Sequence, residues 1–377
     1  MKNSHLLSIR TKFVKPTFQS SVNLDGHINI GSGTPNFIPP KEILTEFKKS
    51  IDECKLSYTS WSGLSELKES VSNKLVRENS YYADPNSEIL ITNGAQSAVM
   101  AIFMALLDKD DEIIIPAPFY NTYEEIAVSC GGKVIPIITD YKSDYTVNLE
   151  QVKKAITNKT KAIVLVSPSN PTGTVLNKKL IKEIYDLVVT KNLLLITDEI
   201  YEHYIFDDNK HYSIHSDYKN KENVISIYSL SKGYGLTGLR VGYIVSNKDL
   251  IAAIAPFHHA MSICAPVNSQ YASIAALNLE RDWFINILKD VNERKNIWEN
   301  VLNELNIPFG QPQGAYYVCF DISQYGLNSN EISSKLRKEQ KLIINSVDDK
   351  YLRGSFMQNP EILQEGLNKM KTFFNNM

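Results

Sequence analysis

The alternation of short apolar runs with helical patterns between residues 88 and 228 constrains the fold of this chain more than any other feature of its sequence. The runs are rich in β-branched residues, and the longer segments between them carry apolar residues every three or four positions. The predicted strands are 89–92, 112–115, 133–138, 161–166, 193–197 and 224–228. Because helices that alternate with strands are typical of parallel pairing, we expect an α/β fold with a mostly parallel central sheet flanked by helices.

The pattern changes on both sides of this region. Helices are predicted in the first part of the chain and between the strands, at 41–54, 64–75, 95–107, 120–130 and 180–189. Beyond about residue 265 the sequence predicts one long helix at 270–305, then a strand at 315–320, a helix at 331–340, a strand at 352–356 and a last helix from Pro360. We therefore predict three parts: an N-terminal arm with part of a small domain at 1–45, a large α/β domain at 46–268, and a smaller α+β domain at 269–377.

Composition favours a small-molecule partner. The 377 residues carry 40 Lys and Arg against 42 Asp and Glu, with no block of like charge, which argues against binding to nucleic acid or a membrane surface. Four single cysteines without metal-like spacing indicate a reducing compartment, no disulfides and no metal site. Residues 1–14 lack the apolar core of a secretion signal, and no run approaches the roughly 18 apolar residues of a membrane span. The cytoplasm is the expected location.

Polar clusters follow the predicted strands. They occupy residues 93–96, 116–120, 167–173, 198–201 and 229–243. Because the carboxyl ends of parallel strands meet at one edge of a sheet, we expect these clusters to lie close together, where such sheets bind ligands. Each cluster by itself also fits a plain turn, a helix cap or core packing.

Together the clusters match the needs of pyridoxal phosphate, which requires an amine for a Schiff base, an acid for its ring nitrogen, donors for its phenolic oxygen, a stacking ring and a phosphate cradle. The residues that match these needs, in that order, are Lys232, Asp198, Asn170 with Tyr201, Tyr120, and the amides of Ala95 and Gln96 with Ser229 and Arg240.

Three motifs make the resemblance to a known family specific. They are Asn-Pro-Thr-Gly at 170–173, Asp-Glu-x-Tyr at 198–201, and Ser-x-Ser-Lys at 229–232 followed by Gly-x-Arg-x-Gly-Tyr at 238–243. From about Ile28 to Lys371 the chain resembles fold-type I pyridoxal-phosphate enzymes of the class I/II aminotransferase family. The resemblance implies transfer of an amino group between an amino acid and a 2-oxo acid through a Schiff base on Lys232.

The same resemblance implies further roles. Lys232 moves the α-proton, with Asp198 and Tyr201 as its catalytic partners. Gly33, Asn170 and Arg353 are expected to contact the substrate, with Arg353 binding its carboxylate. Tyr58 is expected to reach the cofactor phosphate of a neighbouring subunit, which implies a homodimer with shared active sites.

One departure from the family leaves alternatives open. Residues 342–350 are short and lack the Pro-Gly and Phe-Gly pairs that the family carries before its substrate arginine, so substrate choice and reaction type are less constrained. A lyase, decarboxylase or oxidase on the same scaffold is the alternative reaction. A ligand-sensing regulator would need a DNA-binding domain, for which we find no room before Gly31, and a nicotinamide dehydrogenase would need a G-x-G-x-x-G motif after a strand, which the sequence lacks.

Overall fold

The structure is a computed structural model that describes residues 8–12, 26–217 and 222–377. Much of the predicted N-terminal arm, and most of the segment tested for a secretion signal, lies outside the described residues. Within the described ranges, none of the helices combines the length and the apolar character needed to cross a bilayer.

The strands and helices alternate through the first two thirds of the chain. The strands are β1 (Ile28–Asn29), β2 (Ile89–Thr92), β3 (Glu112–Ala117), β4 (Lys133–Ile138), β5 (Thr160–Val166), β6 (Leu194–Asp198), β7 (Val224–Ser229), β8 (Gly242–Val245), β9 (Tyr317–Asp321), β10 (Leu342–Ile343), β11 (Asn345–Ser346) and β12 (Tyr351–Ser355). The α-helices are α1 (Lys41–Asp52), α2 (Ser65–Asn79), α3 (Ala95–Leu106), α4 (Thr122–Ser129), α5 (Leu149–Ala155), α6 (Lys178–Thr190), α7 (Leu230–Gly233), α8 (Lys248–Ser262), α9 (Val267–Asn278), α10 (Asp282–Glu304), α11 (Ser329–Gln340) and α12 (Pro360–Asn375).

The central sheet has seven strands in the order β2-β8-β7-β6-β5-β3-β4. Strand β8 runs antiparallel to both of its neighbours, and the other six strands are parallel to one another. The predicted mostly parallel sheet is therefore confirmed. Its geometry brings the carboxyl ends of β2, β5, β6 and β7 to the same edge as the start of β8.

Both faces of the sheet are covered by helices, because its central strands are apolar on both sides. Helices α3, α4 and α8 bury apolar side chains against one face, in a core that includes Phe103, Ile196 and Ile254. Helices α5 and α6 cover Ile163 and Leu195 on the other face. This burial on both faces explains why continuous apolar runs predicted the strands.

A second, smaller sheet follows in the order β11-β12-β9, with antiparallel pairing. Its core, shared with α10, α11 and α12, is built around the fully buried Trp298. Strand β1 pairs in parallel with β10, and the amide of Ser355 at the end of β12 donates to the carbonyl of Ile30 at 2.8 Å. The N-terminal segment is thereby fixed beside β12, and Gly31 and Gly33 lie close to the second sheet.

The prediction of one helix at 270–305 is wrong, because the helical conformation is interrupted between α9 and α10. Leu279 adopts an extended conformation, and Arg281 precedes the first turn of α10. Both helices carry apolar residues at helical spacing, and the break contains neither glycine nor proline to mark it. Helix α9 packs against α1 and α2, whereas α10 packs in the core of the second sheet. The division into three parts stays a prediction.

Candidate active site

Lys232 lies on the short helix α7, directly after β7. The main chain of this turn is fixed from three directions. The hydroxyl group of Tyr204 donates to the Lys232 carbonyl at 2.9 Å, Arg281 donates to the Gly233 carbonyl at 3.3 Å, and the Ser229 side chain accepts from the Ser231 amide at 3.1 Å. The lysine therefore leaves the sheet edge from a turn whose backbone is well constrained.

The amino group of Lys232 donates to the carbonyl of Gly33 at 2.8 Å. The pKa of Lys232 is lowered to about 8, mainly by burial and also by the positive charges of Arg353 and Arg240, whereas Asp198 opposes this shift. A lysine with a pKa of about 8 exchanges protons close to neutral pH, as a general base must.

Asp198 ends β6 and is buried. Its carboxylate accepts a hydrogen bond from the hydroxyl group of Tyr123 and another from the amide of Ile200 at 3.1 Å. Burial raises the pKa of Asp198 to about 6, although the bond from Tyr123 lowers it in part. The carboxyl group thus titrates near neutral pH and, in its ionised form, would favour a protonated ligand nitrogen.

Glu199, the acid next to Asp198 in the sequence, does not titrate near neutral pH. Burial would raise its pKa, but hydrogen bonds from His211, Ser213 and Thr197 outweigh burial and lower the pKa to about 2. The Asp-Glu pair therefore provides one acid that titrates near neutrality and one that stays ionised.

Arg240 lies at the N-terminus of α3, beside the turn formed by Asn93 and Gly94. Its guanidinium group donates to the Asn93 carbonyl at 3.4 Å, and a Cβ added to Gly94 would lie 2.5 Å from one guanidinium nitrogen. Glycine at this position lets the cation approach the helix start. A cation beside the free amides of a helix N-terminus, including those of Ala95 and Gln96, is suited to a phosphate group.

Arg353 lies on β12 and is 9% exposed. It donates to Asn170 Oδ1 at 2.7 Å and to the Gly31 carbonyl at 3.0 Å, and its charge is 4.2 Å from the centre of the Tyr317 ring. Its Nε has no partner, and within the described ranges no carboxylate lies within 4.0 Å of this arginine. A buried cation that contacts only neutral oxygens has a strong preference for an anionic ligand.

Tyr120 and Tyr58, two of the predicted aromatic site residues, are exposed. Tyr120 comes just before α4 and is 44% exposed, and Tyr201, by contrast, is fully buried with its hydroxyl group 3.1 Å from that of Tyr317. Tyr58 is 76% exposed, so within one chain its ring faces outward. The structure therefore groups Lys232 with the predicted residues of the sheet edge and leaves Tyr58 on the surface.

The cluster fits a flat, anionic cofactor. Arg353 and Arg240 are close enough to lower the pKa of Lys232, and the carboxylate of Asp198 acts on it in the opposite direction. The buried Oδ1 of Asn93, in the turn before α3, also has no hydrogen-bond partner. The donors suit a phosphate group and a carboxylate at the same time, with an amine between them.

Four residues that contact the site were not identified from the sequence. They are Tyr123 on Asp198, Tyr204 on the Lys232 carbonyl, Tyr316 on the Gly33 carbonyl, and Asn345 on the Gly31 carbonyl. The three tyrosines carry no sequence signal that separates them from core residues. Asn345 belongs to the short segment at 342–350, which forms a hairpin with β12 and places Asn345 opposite Arg353.

Comparison with known proteins agrees with the predicted family and fold. Residues 25–364 match the family model described as aminotransferase class I and II. The chain is 33% identical over 366 residues to the aspartate aminotransferase of Pyrococcus abyssi, covering 95% of this chain and 94% of that one. It is 30% identical over 378 residues to aromatic-amino-acid aminotransferase 2 of Thermococcus litoralis, covering 97% of each.

A solved structure gives the same result. The aromatic aminotransferase of Pyrococcus horikoshii superposes with a TM-score of 0.89 at 32% identity, over 94% of this chain and 97% of that one. The fold and the site define an α/β enzyme with a lysine at the sheet edge. The chain belongs to the class I and II aminotransferase family, and the prediction of an aminotransferase is confirmed.

Proposed function

We propose that this aminotransferase carries pyridoxal 5'-phosphate on Lys232 and transfers an amino group from an amino acid to a 2-oxo acid. The observation that carries the proposal is the position of the Lys232 amine, whose pKa is about 8, among Asp198 and two arginines without carboxylate partners in the described residues. When bound, the cofactor supplies an electron sink for the charge left by the departing α-proton.

The phosphate group would be held at the start of α3. Arg240 supplies a cation, the amides of Ala95 and Gln96 supply free donors, and the Ser229 side chain lies on the neighbouring strand end. Gly242 favours this arrangement, because a Cβ at that position would come within 2.9 Å of the Ala95 amide nitrogen.

The ring would lie between this cradle and Asp198. Asp198 would pair with the ring nitrogen and keep it protonated, as its burial and its bond from Tyr123 orient the carboxylate. Asn170 and Tyr201 would donate to the phenolic oxygen, and the half-exposed ring of Tyr120 would stack on the cofactor.

Lys232 would move the proton. Its amino group has a lowered pKa, so it could accept the α-proton of the substrate at near-neutral pH and hold that proton for its return. Tyr201, whose ring centre lies 6.0 Å from the Lys232 nitrogen, borders the path of this amine.

Arg353 would bind the substrate carboxylate, with Asn170 and the backbone at Gly33 on either side. The planar guanidinium group can offer two parallel donors to a carboxylate, and it is already held in place by Asn170 and Gly31. Relatives bear the names aspartate aminotransferase and aromatic-amino-acid aminotransferase, so acidic and aromatic amino acids are the first donors to test.

A donor and acceptor screen tests this function. Purified protein should absorb visible light, and an amino acid should remove that absorbance, which a 2-oxo acid then restores. The Lys232→Ala protein should bind the cofactor yet lose the proton transfer by several orders of magnitude. Consumption of oxygen, loss of carbon dioxide or loss of a substrate side chain without an amino acceptor would point to the oxidase, decarboxylase or lyase alternative.

We also infer that the active protein is a homodimer with shared sites. Large apolar side chains are exposed in the loop after α1 and around the end of α8: Leu56, Tyr58, Trp61, Met261 and Ile263. Asn268 and Gln270, in the first turn of α9, donate to Lys55 and Thr59 and so hold the loop at 55–59 beside the start of α9. An exposed apolar region of this kind is suited to a symmetric contact.

Mixing two inactive variants tests the shared site. In the proposed composite site, one chain supplies Lys232 and the other supplies Tyr58. A dimer of one Tyr58→Ala chain and one Lys232→Ala chain therefore has one intact site and one site that lacks both residues. Random mixing makes half of all dimers of this kind. Activity should return to about a quarter of the wild-type value. If Tyr58 acts within its own chain, the mixture stays inactive.

We also infer a cytoplasmic location, which the four free cysteines support.

A further inference from the structure

The Gly33 carbonyl receives two hydrogen bonds at the centre of the site. The Lys232 amino group donates to it at 2.8 Å, and the hydroxyl group of Tyr316 donates to it at 2.9 Å. A carbonyl oxygen has two lone pairs, so each donor can use one of them without displacing the other. Tyr316 therefore contacts the same atom as the reactive amine, although it does not touch that amine.

The Tyr316 ring is held rigidly. It is fully buried, and its ring meets those of Tyr201 and Tyr204 edge-on, with centres 5.2 Å and 4.9 Å apart. The main chain is fixed as well, because the amide of Phe356 donates to the Tyr316 carbonyl at 2.9 Å. A phenol on such a support can define the position of a flexible neighbour.

Gly33 is the flexible neighbour. It lies in an irregular segment between β1 and α1, and a Cβ at this position would clash with the Tyr317 hydroxyl group. The close approach of Tyr317 requires glycine, and glycine leaves the peptide plane free to rotate. The Thr34 amide of the same peptide unit donates to the Ser32 hydroxyl group at 3.3 Å, which is a contact within the segment, whereas the bonds from Tyr316 and Lys232 tie the Gly33 carbonyl to the rest of the protein.

We propose that Tyr316 is a positioning residue for Lys232, and that its hydroxyl group holds the Gly33 carbonyl in the orientation that receives the Lys232 amino group. This inference rests on the proposed role of Lys232. When the Lys232 amine is free and not bonded covalently to the cofactor, the oriented Gly33 carbonyl keeps it at one place in the site. Lys232 would then begin each proton transfer from a defined position.

The sign of the effect on the pKa separates this role from its opposite. An acceptor that faces an ammonium group stabilises the charged form, so a freely rotating Gly33 carbonyl should lower the pKa of Lys232 below its value of about 8. If the phenol instead competed with the amine for the carbonyl, its removal would raise the pKa.

The test uses cofactor-free Tyr316→Phe protein. Competitive labelling with acetic anhydride across a pH series, followed by mass spectrometry of the peptides, gives the pKa of each lysine. We expect the pKa of Lys232 to fall by about one to two units, the size of one lost hydrogen bond to a charged group. The buried amines of Lys74 and Lys295 serve as internal references. An unchanged or raised pKa of Lys232 overturns the proposal.

Tyr145→Phe is the matched control. Tyr145 is also a buried tyrosine whose hydroxyl group donates to a backbone carbonyl, that of Cys319, at 3.2 Å. Its loss should destabilise the fold by a similar amount and leave the pKa of Lys232 unchanged, and an equal shift in both variants would show a general structural effect. If Tyr316→Phe fails to fold, Tyr316→Met gives the same measurement.

A second measurement uses the loaded enzyme. Tyr316→Phe should lower kcat about three- to tenfold with little change in KM for the amino acid, because the reacting amine and not the substrate site is displaced. A rise in KM at constant kcat would contradict the proposal. The labelling result does not require turnover, so it stands even if the proposed amino-group transfer is wrong.

Discussion

Replacing Arg353 by lysine tests the proposed carboxylate site. In the native chain the guanidinium group bonds two neutral oxygens, Asn170 Oδ1 at 2.7 Å and the Gly31 carbonyl at 3.0 Å, and its Nε has no partner. A lysine keeps the charge but offers one nitrogen in place of a planar fork. It can therefore retain a point contact with a carboxylate, but not a pair of parallel bonds.

The expected magnitude follows from the bonds that are lost. A hydrogen bond to a charged group contributes about 1.5–3 kcal/mol, so losing one of two bonds should weaken transition-state binding of an amino acid about ten- to a hundredfold. The assay compares kcat/KM for an amino acid and for the amine that lacks its carboxylate, through the absorbance change of the loaded enzyme. The ratio between the two substrates should shrink by that factor.

The amine is the internal control, because it cannot use the carboxylate site. Arg294→Lys is the matched variant: Arg294 is 8% exposed and donates to the Gln358 carbonyl at 3.2 Å, on a helix that carries none of the proposed site residues. Equal losses for the amino acid and the amine would mean that Arg353 only holds Asn170 and Gly31 in place. Unchanged kinetics with both substrates would show that Arg353 does not bind the carboxylate and that the carboxylate site lies elsewhere.

Two further predictions concern stability. The pKa of Asp198 is raised to about 6 from 3.8, so the folded protein binds a proton there more tightly than the unfolded chain. The stabilisation is fully present below pH 3.8 and is lost as the pH rises through 6. Relative to Asp198→Asn, the free energy of unfolding should fall by about 3 kcal/mol between about pH 3 and about pH 7, measured by denaturant titration at both ends, and parallel curves would contradict the assignment. A Cβ at Gly233 would clash with the His203 ring, so Gly233→Ala should cost about 1–3 kcal/mol and His203→Ala should restore part of it in thermal unfolding. If the double variant recovers no stability, the loss in Gly233→Ala comes from the backbone at Gly233 and not from the clash with the His203 ring.

The sheet and its edge could be predicted because both follow from local pattern. Strands that are buried on two faces appear as continuous apolar runs, and parallel strands gather their carboxyl ends. These two rules are enough to bring Asp198, Lys232 and Asn170 together from positions far apart in the chain. The cluster at 93–96 lies at the same edge because β8 runs antiparallel to both β2 and β7, so that β2 and β7 point in the same direction.

The second layer of the site could not be predicted, because it depends on packing between distant segments. Tyr123, Tyr204 and Tyr316 act through single hydroxyl groups on buried rings, and a buried tyrosine with such a role has the same sequence pattern as one that fills the core. The break before α10 places Arg281 on the Gly233 carbonyl, yet it contains no residue that ends a helix by its own preference.

The charges of the site connect the two proposed ligands to the chemistry of the lysine. Arg240 and Arg353 both lower the pKa of Lys232, and in the described residues neither has a carboxylate within 4.0 Å. A phosphate on Arg240 and a carboxylate on Arg353 would each neutralise one of these charges, so the pKa of Lys232 should rise as the site fills. The lysine would then be easiest to deprotonate in the empty site and would become a stronger base once both anions are bound. The same two arginines would thus bind the ligands and adjust the basicity of the amine, and the ionised form of Asp198 would act on it in the opposite direction.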